Sequence, residues 1–95
     1  MKENSVIDWE AYGILLKEAR LNNGFTRGRS LCEAVEEATG MIISERTIYA
    51  LEDASRAPSA DIFIALQQVL PELRDPEYIK PIFKRENVKI SVIEL

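Results

Sequence analysis

Histidine is absent from this chain, and cysteine occurs once, at Cys32. Those two gaps remove much of the chemistry open to a small enzyme. Zinc sites built on the common Cys and His ligand sets are excluded, as are Ser-His and Cys-His nucleophiles. No disulfide can form within these 95 residues, which fits a reducing, cytoplasmic setting. With four glycines, none in a phosphate-cradling loop after a strand, the nucleotide-loop signatures are missing as well. No apolar run approaches the ~18 residues of a membrane span. The opening Met-Lys-Glu-Asn-Ser lacks the apolar core of a signal peptide. No cofactor, metal or membrane partner is therefore expected. Catalysis would rest on carboxylates or lysines, and the sixteen acidic residues fall mostly where solvated helix faces are expected. An enzyme is not expected.

What is present is ordinary globular composition, 46% hydrophobic and 29% charged, which by length makes one domain with one modest core. The net charge of −4 runs against a nucleic-acid binder, although a local cationic cluster can still neutralise phosphates. Apolar residues at three- and four-residue spacing predict a mainly α chain. Asp8 is a suitable N-cap for a first helix from Trp9, with Tyr12, Leu16 and Ala19 on one stripe and Gly24 closing it. Thr26 to Arg29 reads as a loop. Ser30 and Glu33 form a capping box for a second helix from Leu31 to about Thr39, with Ala34, Val35 and Ala38 inward and Gly40 at its end.

Met41-Ile42-Ile43 is an apolar turn, after which Ser44 caps a third helix ending near Glu52 and burying Ile48 and Leu51. Ser59 caps a fourth, from Ala60 to Leu70, which Pro71 ends. Asp75-Pro76-Glu77 starts a short helix or turn broken at Pro81. Asn87 to Leu95 is β-branched, with Val88, Ile90 and Val92 on one face of a short C-terminal strand. A lone strand cannot satisfy its backbone. Pairing with the same strand of a second copy would make a homodimer; a disordered tail and a strand laid on Ser5 to Ile7 are the alternatives. The divisions are a 1–8 extension, a 9–71 helical domain and a 72–95 tail. Trp9, Phe25, Phe63 and Leu66 join the core set.

Tyr12-Gly13, Leu16, Ala19-Arg20 and Gly24-Phe25-Thr26, followed by Ser44, Ile48, Leu51-Glu52 and Pro58-Ser59, resemble the Cro/cI-repressor (XRE) type of helix-turn-helix domain. The likeness covers roughly Trp9 to Leu70. It implies a five-helix-like domain that binds double-stranded DNA as a sequence-specific transcriptional regulator, with helix 45–52 in the major groove. On that resemblance Glu45, Arg46, Thr47 and Ala50 match base-reading positions, and Arg46 could grip guanine O6 and N7 together. Arg27, Arg29, Ser44, Tyr49, Ser55 and Arg56 would contact phosphates. Arg20 and Glu52 would form a structural ion pair between the first and third helices.

The chain departs from the family pattern at three points. Ala54 stands where glycine is usual, the segment from Thr26 to Ser44 is about seven residues longer, and the second helix has an acidic outer face. The same fold also serves antitoxins and other protein-interaction modules, with a toxin or other protein as partner. That is the second reading, in which the terminal strand would pair with the partner's sheet.

Overall fold

The computed structural model describes residues 6–84. It is mainly helical. The order is α1 (Trp9–Asn22), α2 (Gly28–Thr39), α3 (Glu45–Glu52), α4 (Ala60–Val69), a 3-10 turn (Pro71–Arg74), α5 (Pro76–Ile79) and a second 3-10 turn (Lys80–Ile82). No described helix is long and apolar enough to cross a membrane. The segment 87–95, with Val88, Ile90 and Val92, lies outside the described residues, and no strand occurs among those described.

Local chemistry starts three of the helices where the sequence places them. The Asp8 carboxylate accepts from the amides of Glu10 and Ala11 at the head of α1. Ser44 Oγ accepts from Thr47 N–H, and Ser59 Oγ from Ile62 N–H. Each satisfies an amide that the helix itself leaves unpaired. Gly40, at φ 81°, ends α2 in the left-handed conformation that costs glycine little.

The start of α2 corrects the sequence reading. The helix begins at Gly28, not Leu31, and no side chain caps it. The Ser30–Glu33 capping box does not form, because tertiary contact supplies a partner instead: Gly28 N–H donates to Tyr49 Oη at 2.9 Å. Arg29 consequently sits in the first helical turn rather than in a loop. Ala38, expected inward, is exposed. Helix α5 ends at Ile79, before Pro81, as the sequence reading has it, and Pro81 sits in the first turn of the Lys80–Ile82 3-10 segment, where a missing N–H costs nothing.

The core joins one buried stripe from each long helix: Tyr12, Leu16 and Ala19 from α1, Leu31 and Val35 from α2, Ile48 and Leu51 from α3, and Ala65 and Leu66 from α4. Trp9, Phe25 and Phe63 are half-buried against it. Helix α1 packs on α3, while α2 packs on both α3 and α4. Beyond α4 the chain still belongs to this core, since Leu70, Leu73 and Ile82 are buried in it. Tyr78 Oη reaches back to Leu15 C=O and Glu18 Oε1 on α1.

The two ends of the described segment meet. Ile7 and Phe83 form an antiparallel bridge, flanked by Asp8 N–H to Ile82 C=O at 2.6 Å and Lys84 N–H to Val6 C=O at 2.8 Å. Residues 6–8 are thus tied into the fold.

Candidate nucleic-acid interface

Helix α3 is the shortest of the four main helices, and at eight residues it would be marginal alone. Its position is set by what it packs on. Ile48 and Leu51 are fully buried. At its C-terminal end the contact with α1 is backbone on backbone. A Cβ at Gly13 would stand 2.7 Å from Leu51 C=O and closer still to Glu52 C=O. Only glycine lets the two helices approach this far.

The same junction carries the one ion pair between described residues. Arg20 Nε donates to Glu52 Oε2 at 2.6 Å and Nη2 to Oε1 at 3.1 Å, a two-point grip, and Nη1 donates to Phe25 C=O at 2.9 Å. Both side chains are almost wholly buried, at 4% and 6% exposure. The hydrogen bond to Glu52 raises Arg20 above its ordinary value, so its charge is permanent. A buried, hydrogen-bonded pair of this kind resists loss of either partner.

At its other end α3 is held by Tyr49 and Ser44. The Tyr49 ring lies against Gly28, where a Cβ would meet its Cζ at 3.1 Å, and 5.6 Å from the Arg20 guanidinium, within cation–π range. Its hydroxyl accepts the Gly28 amide and faces Glu45 Oε2 at a long 3.5 Å. Glu45 is half-buried and leans toward α2, with its Cγ 3.2 Å from the Gly28 Cβ position. Burial, and secondarily the Glu45 charge, push the Cys32 thiol up, which places the carboxylate near α2 as well.

Arg46 is exposed and makes no hydrogen bond or ion pair with a described residue. Thr47 is half-buried and shares a hydrogen bond with Ser44 Oγ at 2.9 Å; it also accepts from Arg56 Nη1 at 3.3 Å. Ala50 is half-buried. Ser55 is occupied locally, its Oγ donating to Ala50 C=O and its N–H to Asp53 Oδ1. The Ser55 hydroxyl first, and its N–H second, hold Asp53 below the usual carboxylate range. Arg27, Arg29 and Arg56 are all exposed.

Two hydrogen bonds therefore gather the cations. The Tyr49–Gly28 bond brings the Arg27–Arg29 segment to α3, and the Thr47–Arg56 bond brings the α3–α4 loop to its first turn. That loop turns at Ala54, which adopts φ 63° although it is not glycine. Beside it, a cleft of about 360 Å³ runs to the head of α1, bordered by Trp9, Asp8, Arg56 and Lys84.

Sequence reasoning placed Arg20, Glu52 and the cap at Ser44, but it missed the Tyr49–Gly28 contact and the closeness of Gly13 to α3. A glycine in mid-helix at Gly13, beside the stripe of Tyr12 and Leu16, was the available signal for the second. The dimerisation residues Val88, Ile90 and Val92 lie outside the described residues.

No protein-family model matches the chain, and neither a curated protein nor a solved structure matches it. What the coordinates define is the class: a mainly helical domain whose third helix is anchored on one side and open on the other.

Proposed function

We propose that the chain is a sequence-specific double-stranded DNA-binding regulator of the Cro/cI helix-turn-helix type, with α2 and α3 as the two helices of the motif and α3 entering the major groove. The observation that carries this reading is that two hydrogen bonds bring the segments bearing Arg27, Arg29 and Arg56 to α3, with Arg46 exposed at its start. A net acidic chain has little reason to collect arginines at one place unless they meet an anion. Arg29 is the sharpest case, because a cation in the first turn of a helix opposes the helix dipole. A phosphate held by Arg29 offsets that cost.

In this reading Arg46 reads a base edge, and Arg27, Arg29 and Arg56 clamp the backbone. Thr47 and Ala50, half-buried, contribute a hydroxyl and a methyl at the groove surface. The protein works in the cytoplasm and does no catalysis. A homodimer on a two-fold operator belongs to the same reading, since each short recognition helix covers one half-site. The measurement is selection from random duplexes, followed by a salt titration of the enriched sequence. Three arginines on phosphates in each subunit, six in the homodimer, give a log–log salt slope of about −5. Failure to enrich any sequence, or a flat salt response, would sink the proposal.

A further inference from the structure

Tyr49 stands at a phosphate-contacting position by resemblance, yet both functions of its phenol are engaged inside the protein. Its oxygen accepts the first amide of α2, from Gly28, at 2.9 Å. Its proton points toward Glu45 Oε2, 3.5 Å away. The ring, 41% exposed, lies 5.6 Å from the Arg20 guanidinium on α1 and against the bare backbone of Gly28 on α2. A phosphate oxygen needs a donor, and this donor faces a carboxylate.

The effect on Glu45 is specific. As the first residue of α3 it would, if it projected outward, set a negative charge against phosphates and offer an acceptor to a cytosine amine. Instead it is half-buried, with its Cγ against Gly28 and its carboxylate toward the phenol. There it also lies near the positive end of the α2 dipole, which favours an acid. Gly28 is what makes room: any side chain would crowd the Tyr49 ring, at 3.1 Å from Cζ and 3.3 Å from a ring edge carbon.

We propose that Tyr49 is a positioning residue of the α3 surface: it turns Glu45 aside toward α2 and leaves Arg46 as the charged side chain that reads bases. This rests on the DNA-binding reading above. Gly28, Tyr49 and Glu45 act as one unit, and the withdrawn carboxylate leaves the base pair adjacent to that read by Arg46 without an acidic reader.

The test compares base preferences, obtained by random-duplex selection, for the unaltered chain, Glu45→Ala, Tyr49→Phe and the double variant, with thermal melting as a check on folding. Glu45→Ala alone leaves the preference unchanged at every position, within about twofold, because a withdrawn carboxylate reads nothing. Tyr49→Phe keeps the ring but frees Glu45. Preference at one base pair, adjacent to that read by Arg46, then shifts toward cytosine by about tenfold. Adding Glu45→Ala to Tyr49→Phe restores the original preference. A purely structural role for Tyr49 would lower melting temperature and affinity alike without moving the preference. Tyr49→Leu, which removes the phenol and the ring, reproduces the shift and serves if Tyr49→Phe does not fold.

A changed preference in Glu45→Ala alone overturns the inference. So does an unchanged one in a folded Tyr49→Phe or Tyr49→Leu, or a double variant that fails to revert. Each of those results leaves the DNA-binding reading standing. If the unaltered chain enriches no duplex at all, the DNA-binding reading falls and this inference falls with it.

Discussion

At its C-terminal end α3 is fixed by a buried, doubly hydrogen-bonded ion pair and by backbone packed on Gly13; at its N-terminal end it has the neutral, exposed Ser44 cap, while the mid-helix Tyr49 phenol takes the Gly28 amide. The two ends have different consequences. The C-terminal end sets where the helix lies relative to α1, and a failure there costs the fold. The N-terminal end sets which side chains the first turn presents, and a failure there costs at most a cap. A helix can thus be mounted rigidly by one end while the other is left to be tuned for recognition.

The largest expected effect breaks the C-terminal end. Gly13→Ala drives a methyl into the carbonyls of Leu51 and Glu52, which cannot yield without separating α1 from α3. Destabilisation of more than about 4 kcal/mol follows, a large share of the ~5–15 kcal/mol that holds a domain together. Denaturant unfolding measures it. A loss under about 1 kcal/mol would show that the helices can part cheaply.

Next comes Arg20→Met, which strands the Glu52 carboxylate at 6% exposure. Stability should fall by about 3–5 kcal/mol, and replacing Glu52 by Leu in the same chain should recover most of it. If the double variant is no better than the single one, the ion pair is not what joins these helices.

Ser44→Ala probes the weaker end and should cost only about 1 kcal/mol, by unpairing the Thr47 amide. A loss equal to that of Arg20→Met would erase the distinction between the two ends. Just past the C-terminal end, Ala54→Gly should instead stabilise by about 0.5–1 kcal/mol, because φ 63° strains any residue with a Cβ. Melting temperature reports both changes.

The smallest effect at neutral pH concerns Tyr12, which belongs to neither end. Its ring packs edge-on against Trp9 and near Phe63, and its hydroxyl is buried with no hydrogen-bond partner among the described residues. Burial raises its pKa above the ordinary phenol value of 10.0. Above that value the unfolded chain releases a proton that the folded chain keeps, so stability is full below about pH 10 and falls as pH rises further. Tyr12→Phe should change stability by less than about 1 kcal/mol at pH 7 and should reduce the alkaline loss. An alkaline transition identical in both proteins would assign the effect to other groups, among them Tyr78, whose pKa is raised by burial and by its bond to Glu18.

The first, third and fourth helices could be read from the chain because their boundary signals are local. Asp8, Ser44 and Ser59 each cap an amide two or three residues away, and the apolar stripes recur at helical spacing whatever they later pack on. Arg20 and Glu52, 32 residues apart, were reachable only through a family resemblance, since no local rule connects them. The start of α2 was misread for the opposite reason. Ser30 and Glu33 make a valid local box, but Tyr49, 21 residues beyond Gly28, supplies the competing partner.

The sequence by itself determined the helical class and the caps, and it placed arginines at 27, 29, 46 and 56. Tertiary structure decided that the segments bearing Arg27, Arg29 and Arg56 are bonded to α3, that Glu45 leans toward α2, that Ala54 turns left-handed, and that residues 6–8 close on 82–84. Capping and periodicity act within a turn or two of helix, so residue order encodes them directly. Orientation depends on which distant backbone comes within bonding reach, and that is settled only when glycines such as Gly13 and Gly28 let the helices meet.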